Sequence, residues 1–588
     1  MDKRVIVTVV ICMAILFGYQ RFFGKSGEQQ HATTAAAPAP TAKTEPPKTE
    51  PAKTEPPKTE PPKTEPAKTE KAKTQNADST ANNAANSETA KTPAAPIVTD
   101  TIERKGLYHA VFTTNGAAPQ EWTLLDPQYK EARAIEGKKD LRQINLVKSN
   151  APFLPTVISF PESDFALYEN AQWTRSKATE DELDYELDVG SVHVEKKYTF
   201  GAGYDFQLLI TVENRGEKQI AQHLQLATYG WQDPSVKPGG FLGPRTIMTS
   251  GVCDVNGKLK QHDLQSLLKE QVNELGNVRW VAVDEKYFLA AAAMPPTAPG
   301  EERKCHMQTY VAPAEGLILA NVVYPERRVA PKEKTEYHFA GFFGPKILSQ
   351  LDAVKVAGDD HGAPVDTKLS DAVDYGWKEM LARPMLAVLK AVDYVIPSWG
   401  FAIIVLTILI KAITWYPTTK SMKSMKAMSK LKPEMDKLKE KYGNDKTRMN
   451  QEVMELYKRH GVNPLGGCLP MLIQFPIYIA LYAMLGSAVE LYRSKFLWIQ
   501  DLTAADPYYV LPILTGVLMF IQQKTSPQSA DPQQKAMMYA MPVMFTVFSI
   551  FLPAGLTVYI LTNTILTFGQ QWWMNRHEPK PALKPAKA

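Results

Sequence analysis

The chain has 588 residues, too many for one ordinary domain, and a mean hydropathy of -0.26 that resembles a soluble protein. Its net charge of +5 is small for this size, so the charge balance alone does not point to nucleic-acid binding. The four cysteines, Cys12, Cys253, Cys305 and Cys468, make no CxxC pair and no zinc-spaced cluster with histidine.

The average hydropathy hides sharp segregation. In residues 1–24, Lys3 and Arg4 precede an apolar run from Val5 to about Tyr19, and no small-x-small cleavage site follows. This predicts an uncleaved signal anchor whose flanking Arg21 and Lys25 snorkel to the surface. Residues 25–98 form a linker in which KTEPP or KTEPA recurs from Lys43 to Thr69. Proline at that density forbids helix and sheet ladders, and alternating Lys and Glu keep the chain solvated.

From 99 to 365 the pattern changes to period two. Val192, Val194, Tyr198 and Phe200 share one parity, and Phe206, Leu208, Ile210 and Val212 repeat it after a Gly201-Ala202-Gly203 turn. Such runs predict antiparallel strands with one buried face, here a large β-sandwich. Cys253 and Cys305 both lie in it. They either pair as a disulfide, if the region is exported, or remain two buried thiols.

Residues 370–394 carry Met380, Leu381, Met385, Val388, Leu389 and Val392 on one side, the pattern of an amphipathic helix in the membrane interface. Five apolar segments follow at 395–416, 465–485, 508–523, 536–552 and 554–571. Several are shorter than the ~20 residues that cross a typical bilayer, which implies a locally thinned membrane. The loop 417–464 holds twelve Lys and Arg against six acidic residues, so the positive-inside rule places it in the cytoplasm. The basic tail, 572–588, and the N-terminus fall on the same side. The fold expected is a polytopic α-helical membrane protein with six spans, a five-helix C-terminal core and a large extracytoplasmic β-sandwich.

Three spans carry polar stripes at helical spacing: Thr407, Lys411 and Thr414; Gln474 and Tyr478; Tyr559, Asn563 and Thr567. Hydrocarbon penalises each stripe alone, so together they predict one wet groove. Lys411 is the one formal charge in these spans. It either serves the groove or snorkels to the cytoplasmic surface, roughly 9 Å away at Pro417. Intramembrane carboxylates, which cation-coupled transporters usually carry, are missing. In the loop 417–464, Met425, Met428, Leu431 and Met435 keep three- and four-residue spacing. This suits a helical hairpin whose methionine face either receives apolar segments of a substrate or packs as a plain coiled-coil seam. No GxSxG, HExxH, Walker A or GxGxxG signature occurs, so neither enzyme, cofactor nor bound metal is expected.

The stretches WGFAIIVLTILIKAITWYP (399–417), NPLGGCLPMLIQFPIYIALY (463–482), LWIQDLTAADPYYVLPIL (497–514) and LPAGLTVYILTNTILTFGQQ (552–571) resemble the YidC/Oxa/Alb family of membrane insertases. The anchor and exported β-domain look like the form found in two-membraned bacteria. The resemblance implies a hydrophilic groove open to cytoplasm and lipid, with Lys411 where the family usually has Arg, and with Thr407 and Tyr559 lining the substrate path. It also implies an inner-membrane insertase, with nascent membrane proteins, the ribosome, the Sec translocon and the phospholipid bilayer as partners and no specific nucleic acid. Two rivals are a secondary transporter of a small anion, with Lys411 as its binding cation, and a structural scaffold for exported partners.

Overall fold

The computed structural model describes residues 96–577, apart from 136–137, 237–247, 299, 311–314, 359–362, 444, 463–468 and 526–531. The expected signal anchor (1–24), nearly all of the expected linker (25–98) and the end of the basic tail (578–588) lie outside the described residues.

Strict alternation along Val192–Phe200 and Asp205–Asn214 gives alternately buried and part-exposed side chains, and the two strands pair antiparallel with Phe206 opposite Phe200 and Val212 opposite Val194. They belong to a nine-stranded sheet whose spatial order is Lys258–Asp263, Ser250–Val255, Val278–Glu285, Phe288–Ala293, Lys334–Pro345, Asp205–Asn214, Val192–Phe200, Glu182–Val189 and Thr174–Ala178. A five-stranded sheet packs on its first half, in the order Val272–Gly276, Arg303–Thr309, Leu317–Val323, Gln225–Trp231 and Val157–Ser159. The other half meets a three-stranded sheet, Thr99–Arg104, Tyr108–Thr113 and Ala118–Leu124.

Aromatic side chains fill that second interface. Trp122 lies 5.6 Å from Phe206 and 5.0 Å from Phe343, ring centre to ring centre, and Phe112 lies 5.0 Å from Tyr198. Each well-oriented pair adds about 1 kcal/mol beyond its buried area. Cys253 and Cys305, which the sequence left open, form a disulfide that ties the larger sheet to the five-stranded one. The β-sandwich read from the alternation is therefore the architecture observed.

The helical region begins with short 3-10 turns at Leu369–Ala372 and Gly376–Lys378, then α1 (Glu379–Val395). A helix starting at 370 was expected. Gly376, at φ +56°, and the Asp374 carboxylate that accepts its amide turn the chain instead. Next come α2 (Trp399–Lys430), α3 (Lys432–Tyr442), α4 (Lys446–Arg459), α5 (Leu469–Ser487), α6 (Val510–Thr525), α7 (Pro532–Ser549) and α8 (Ala554–His577).

The expected boundary between a span ending at 416 and a hairpin beginning at 417 is not a break. α2 runs through Pro417 for 32 residues, about 48 Å, longer than the ~30 Å hydrocarbon core. Thr418 helps it continue by donating to the Thr414 carbonyl at 2.7 Å. The turn comes instead at Leu431, and α3 pairs with α4. Among the described residues α2 alone is long and apolar enough to cross a bilayer by length and composition; Leu472–Ser487, Val510–Thr525 and Met538–Ser549 are shorter apolar helices.

Around these helices apolar side chains face outward. Ile413 is 80% exposed and Val543 63%, and Ile408, Leu472, Ile513, Val517, Met544 and Val547 are also exposed. Water tolerates no such continuous apolar surface on a soluble protein, so the belt is the face offered to lipid.

Candidate functional site

The polar stripes of α2, α5 and α8 do converge, and α8 is the spine. The outer half of its stripe bonds to α5. Tyr559 Oη accepts from the Gln474 amide at 2.6 Å, and the Asn563 amide donates to Tyr478 Oη at 3.5 Å. The loop that follows α5 also holds the first residues of α8, so the two helices run antiparallel and these two bonds cross between them. The Tyr478 and Tyr559 rings meet edge to face at 5.6 Å.

The inner half of the stripe bonds to α2. Lys411 Nζ donates to Thr567 Oγ1 at 2.8 Å, and the Gln570 amide donates to Thr418 Oγ1 at 3.1 Å and Thr419 Oγ1 at 2.9 Å. Lys411 is only 7% exposed. Its ammonium points at α8. An ammonium held on a neutral hydroxyl inside a helix bundle is stabilised far less than one beside a carboxylate.

Thr407 and Thr414 are spent differently. Both are buried, and their hydroxyls donate to the carbonyls of Ile403 (2.6 Å) and Ile410 (2.9 Å) one turn back in α2. That satisfies each hydroxyl within its own helix. Lys411, Gln474, Tyr478, Tyr559, Asn563 and Thr567 thus meet in one seam between three helices, while the hydroxyls of Thr407 and Thr414 stay within α2.

The hairpin residues separate. Leu431 is fully buried where α2 gives way to α3, packed with Leu456 and Tyr457 of α4. Its expected place among substrate-receiving residues is therefore corrected: it is core. Met428 and Met435 pack partly buried on that core, Tyr457 Oη donates to Met435 Sδ at 3.3 Å, and Met425 is partly exposed.

Sequence reasoning missed one contact that ties the hairpin base to the seam. Lys426 Nζ donates to the Met574 carbonyl at 3.0 Å, in the last turn of α8. A cation there meets the negative end of the helix dipole. Only its place about two turns beyond Thr418 on the same helix hinted at it, since its partner is 148 residues away.

A lipid-facing helical bundle with a polar seam, joined to a large β-sandwich, defines a membrane protein with an exported domain. A family model described as "60Kd inner membrane protein" matches residues 391–581, and one described as "YidC periplasmic domain" matches 109–388. The membrane protein insertase YidC of Syntrophus aciditrophicus (strain SB) is 35% identical over 606 residues, covering 98% of this chain and 100% of that protein. That of Geotalea daltonii is 33% identical over 592 residues, with 98% and 100% covered. A solved structure of an active YidC insertase with its first transmembrane domain resolved aligns over 81% of this chain and 94% of that one, at 17% identity and a TM-score of 0.36. The chain belongs to the YidC family of membrane protein insertases, and its β-sandwich is the periplasmic domain of an inner-membrane protein.

Proposed function

We propose that this chain receives nascent membrane proteins and brings their polar flanks into the seam between α2, α5 and α8 while their apolar segments pass into lipid. The observation that carries this reading is Lys411, buried on Thr567 instead of reaching for water. A polar flank entering the seam replaces the weak hydroxyl partner of Lys411 and the neutral hydrogen bonds at Tyr559 and Asn563. Little is lost, because each neutral bond contributes only about 1 kcal/mol. The driving force is burial of the apolar segment, about 0.8 kcal/mol per methylene, and no covalent chemistry is needed.

In this reading six segments span the inner membrane with both termini cytoplasmic. The hairpin of α3 and α4, rich in Lys and Met, meets the nascent chain at the ribosome, and the insertase acts alone or beside the Sec translocon. The seam is closed toward the periplasm and reached from the cytoplasm and the lipid. The anion-transporter alternative has no support among the relatives, which are insertases by name.

The test is photo-crosslinking from aromatic crosslinkers placed at Tyr478 and Tyr559 to a ribosome-stalled nascent membrane protein. Adducts at both sites, weakened by Lys411→Glu and missing for a soluble nascent chain, are expected. A folded protein that gives adducts at neither site would overturn the mechanism.

A further inference from the structure

The loop between α5 and α6 touches almost everything at the outer end of the bundle. Glu490 forms an ion pair with Lys390 of α1 at 2.6 Å. Phe496 lies over Gly400 in the first turn of α2, where any β-carbon would stand 2.1 Å from its ring. The Leu502 and Ala504 carbonyls accept the amides of Gly555 (2.9 Å) and Ala554 (2.6 Å), the otherwise unpaired first donors of α8. One loop thus fixes the outer ends of α2 and α8, the helices that carry Lys411 and its partner Thr567.

The β-domain grips this same loop. The Gln128 side-chain amide donates to two loop carbonyls, Glu490 at 3.0 Å and Tyr492 at 2.7 Å. In return Tyr492 Oη donates to the Lys130 carbonyl at 2.8 Å, and the Arg493 guanidinium donates to it at 3.2 Å. The Tyr492 ring is buried against Tyr287 (5.1 Å) and Phe288 (5.6 Å) of the nine-stranded sheet's turn. A flexible tether would need none of this reciprocity. Backbone carbonyls held from outside by a side-chain fork, with an aromatic anchor beside them, fix a loop's position and not only its neighbourhood.

We infer that the periplasmic domain is a brace: through Gln128 and the Tyr492 anchor it holds the α5–α6 loop down on the outer ends of α2 and α8 and so keeps the seam closed to the periplasm. This rests on the groove reading above.

The experiment uses the full chain in membrane vesicles, with Gln128→Glu as the variant. It keeps the side chain's size but replaces the amide donor with an acceptor that repels both carbonyls. Hydrogen–deuterium exchange across 488–509 and at Ala554 and Gly555 is expected to speed up about tenfold, as loss of two hydrogen bonds implies. In a chain with Cys12→Ser, Cys468→Ser and a reporter Ala402→Cys, fully buried near the loop, an impermeant maleimide from the periplasmic side should label about tenfold faster. Tyr492→Ala, which removes the anchor from the loop side, should do the same. Unchanged exchange and labelling in both variants, with the Cys253–Cys305 bridge formed, overturn the brace. If the parent gives no nascent-chain adducts from Tyr559, the groove reading fails instead, and exchange still decides whether the loop is held.

Discussion

Lys411 is held by a hydroxyl at 2.8 Å and is almost fully buried, and in the proposed mechanism its charge meets whatever enters the seam. Lys411→Arg keeps the charge and adds donors, and insertion of a model nascent protein into vesicles should stay near the parent level. Lys411→Met, similar in length and uncharged, should lower it roughly tenfold, the loss of one charged hydrogen bond. Equal activity of the two variants would mean that the charge has no role. A second buried lysine tests the β-domain. Lys196 is fully buried, its ammonium bonded to the carbonyls of Gly116 (3.2 Å), Ala117 (2.6 Å) and Thr156 (2.8 Å), and desolvation holds it well below its ordinary value of 10.5. At Lys196 the folded state therefore binds fewer protons than the unfolded one. Stability rises with pH from that lowered value up to about 10.5. Urea denaturation of the full chain should show the parent gaining on Lys196→Met as pH rises through this window. A difference between the two that does not change with pH would rule out the titration.

At the scale of elements, the two sheets are stapled by Cys253–Cys305 across a separation of 52 residues. Loop-closure entropy for that length is about 4 kcal/mol, so replacing both cysteines with alanine should lower the urea stability of the β-domain by up to that amount. In the bundle, a β-carbon at Gly516 of α6 would stand 2.0 Å from Thr546 Oγ1 of α7. Gly516→Val should push these helices apart and lower the detergent-solubilised melting temperature, while Gly569→Ala, in open space, should leave it within a degree or so. The strands were legible because alternation at Val192–Phe200 and Phe206–Val212 reports directly which face is buried. The polar stripe of α8 was legible for the same reason at period 3.6. Its division between two partners was not, because Tyr559 and Thr567 lie on one face and only the placement of α5 and α2 sends them to different neighbours. The span expected to end at 416 and the hairpin expected from 417 share one continuous helix, because loss of one backbone donor at Pro417 does not stop a helix in which Thr418 bonds backward. Leu431 looked like the rest of the methionine stripe, and only the packing of α4 makes it core.

For the molecule as a whole, length and average hydropathy concealed a membrane protein, and segregation of its apolar blocks revealed one. Strand order stayed hidden and the Cys253–Cys305 bridge was left as one of two readings, since both depend on contacts between residues far apart in the chain. The proposed six-span arrangement predicts that a reporter enzyme active only in the periplasm works when fused within the β-domain and fails when fused after His577. Activity at the second position would overturn the proposed orientation. The disulfide adds something about time. Cytoplasmic thiols stay reduced, and Cys253 and Cys305 lie on strands of two different sheets. The bridge can therefore close only once the chain has crossed the membrane through residue 305. Each molecule thus records its own export in a covalent bond, and the share of oxidised chains on a non-reducing gel after a short radioactive pulse would read out how quickly a newly made insertase reaches its working side.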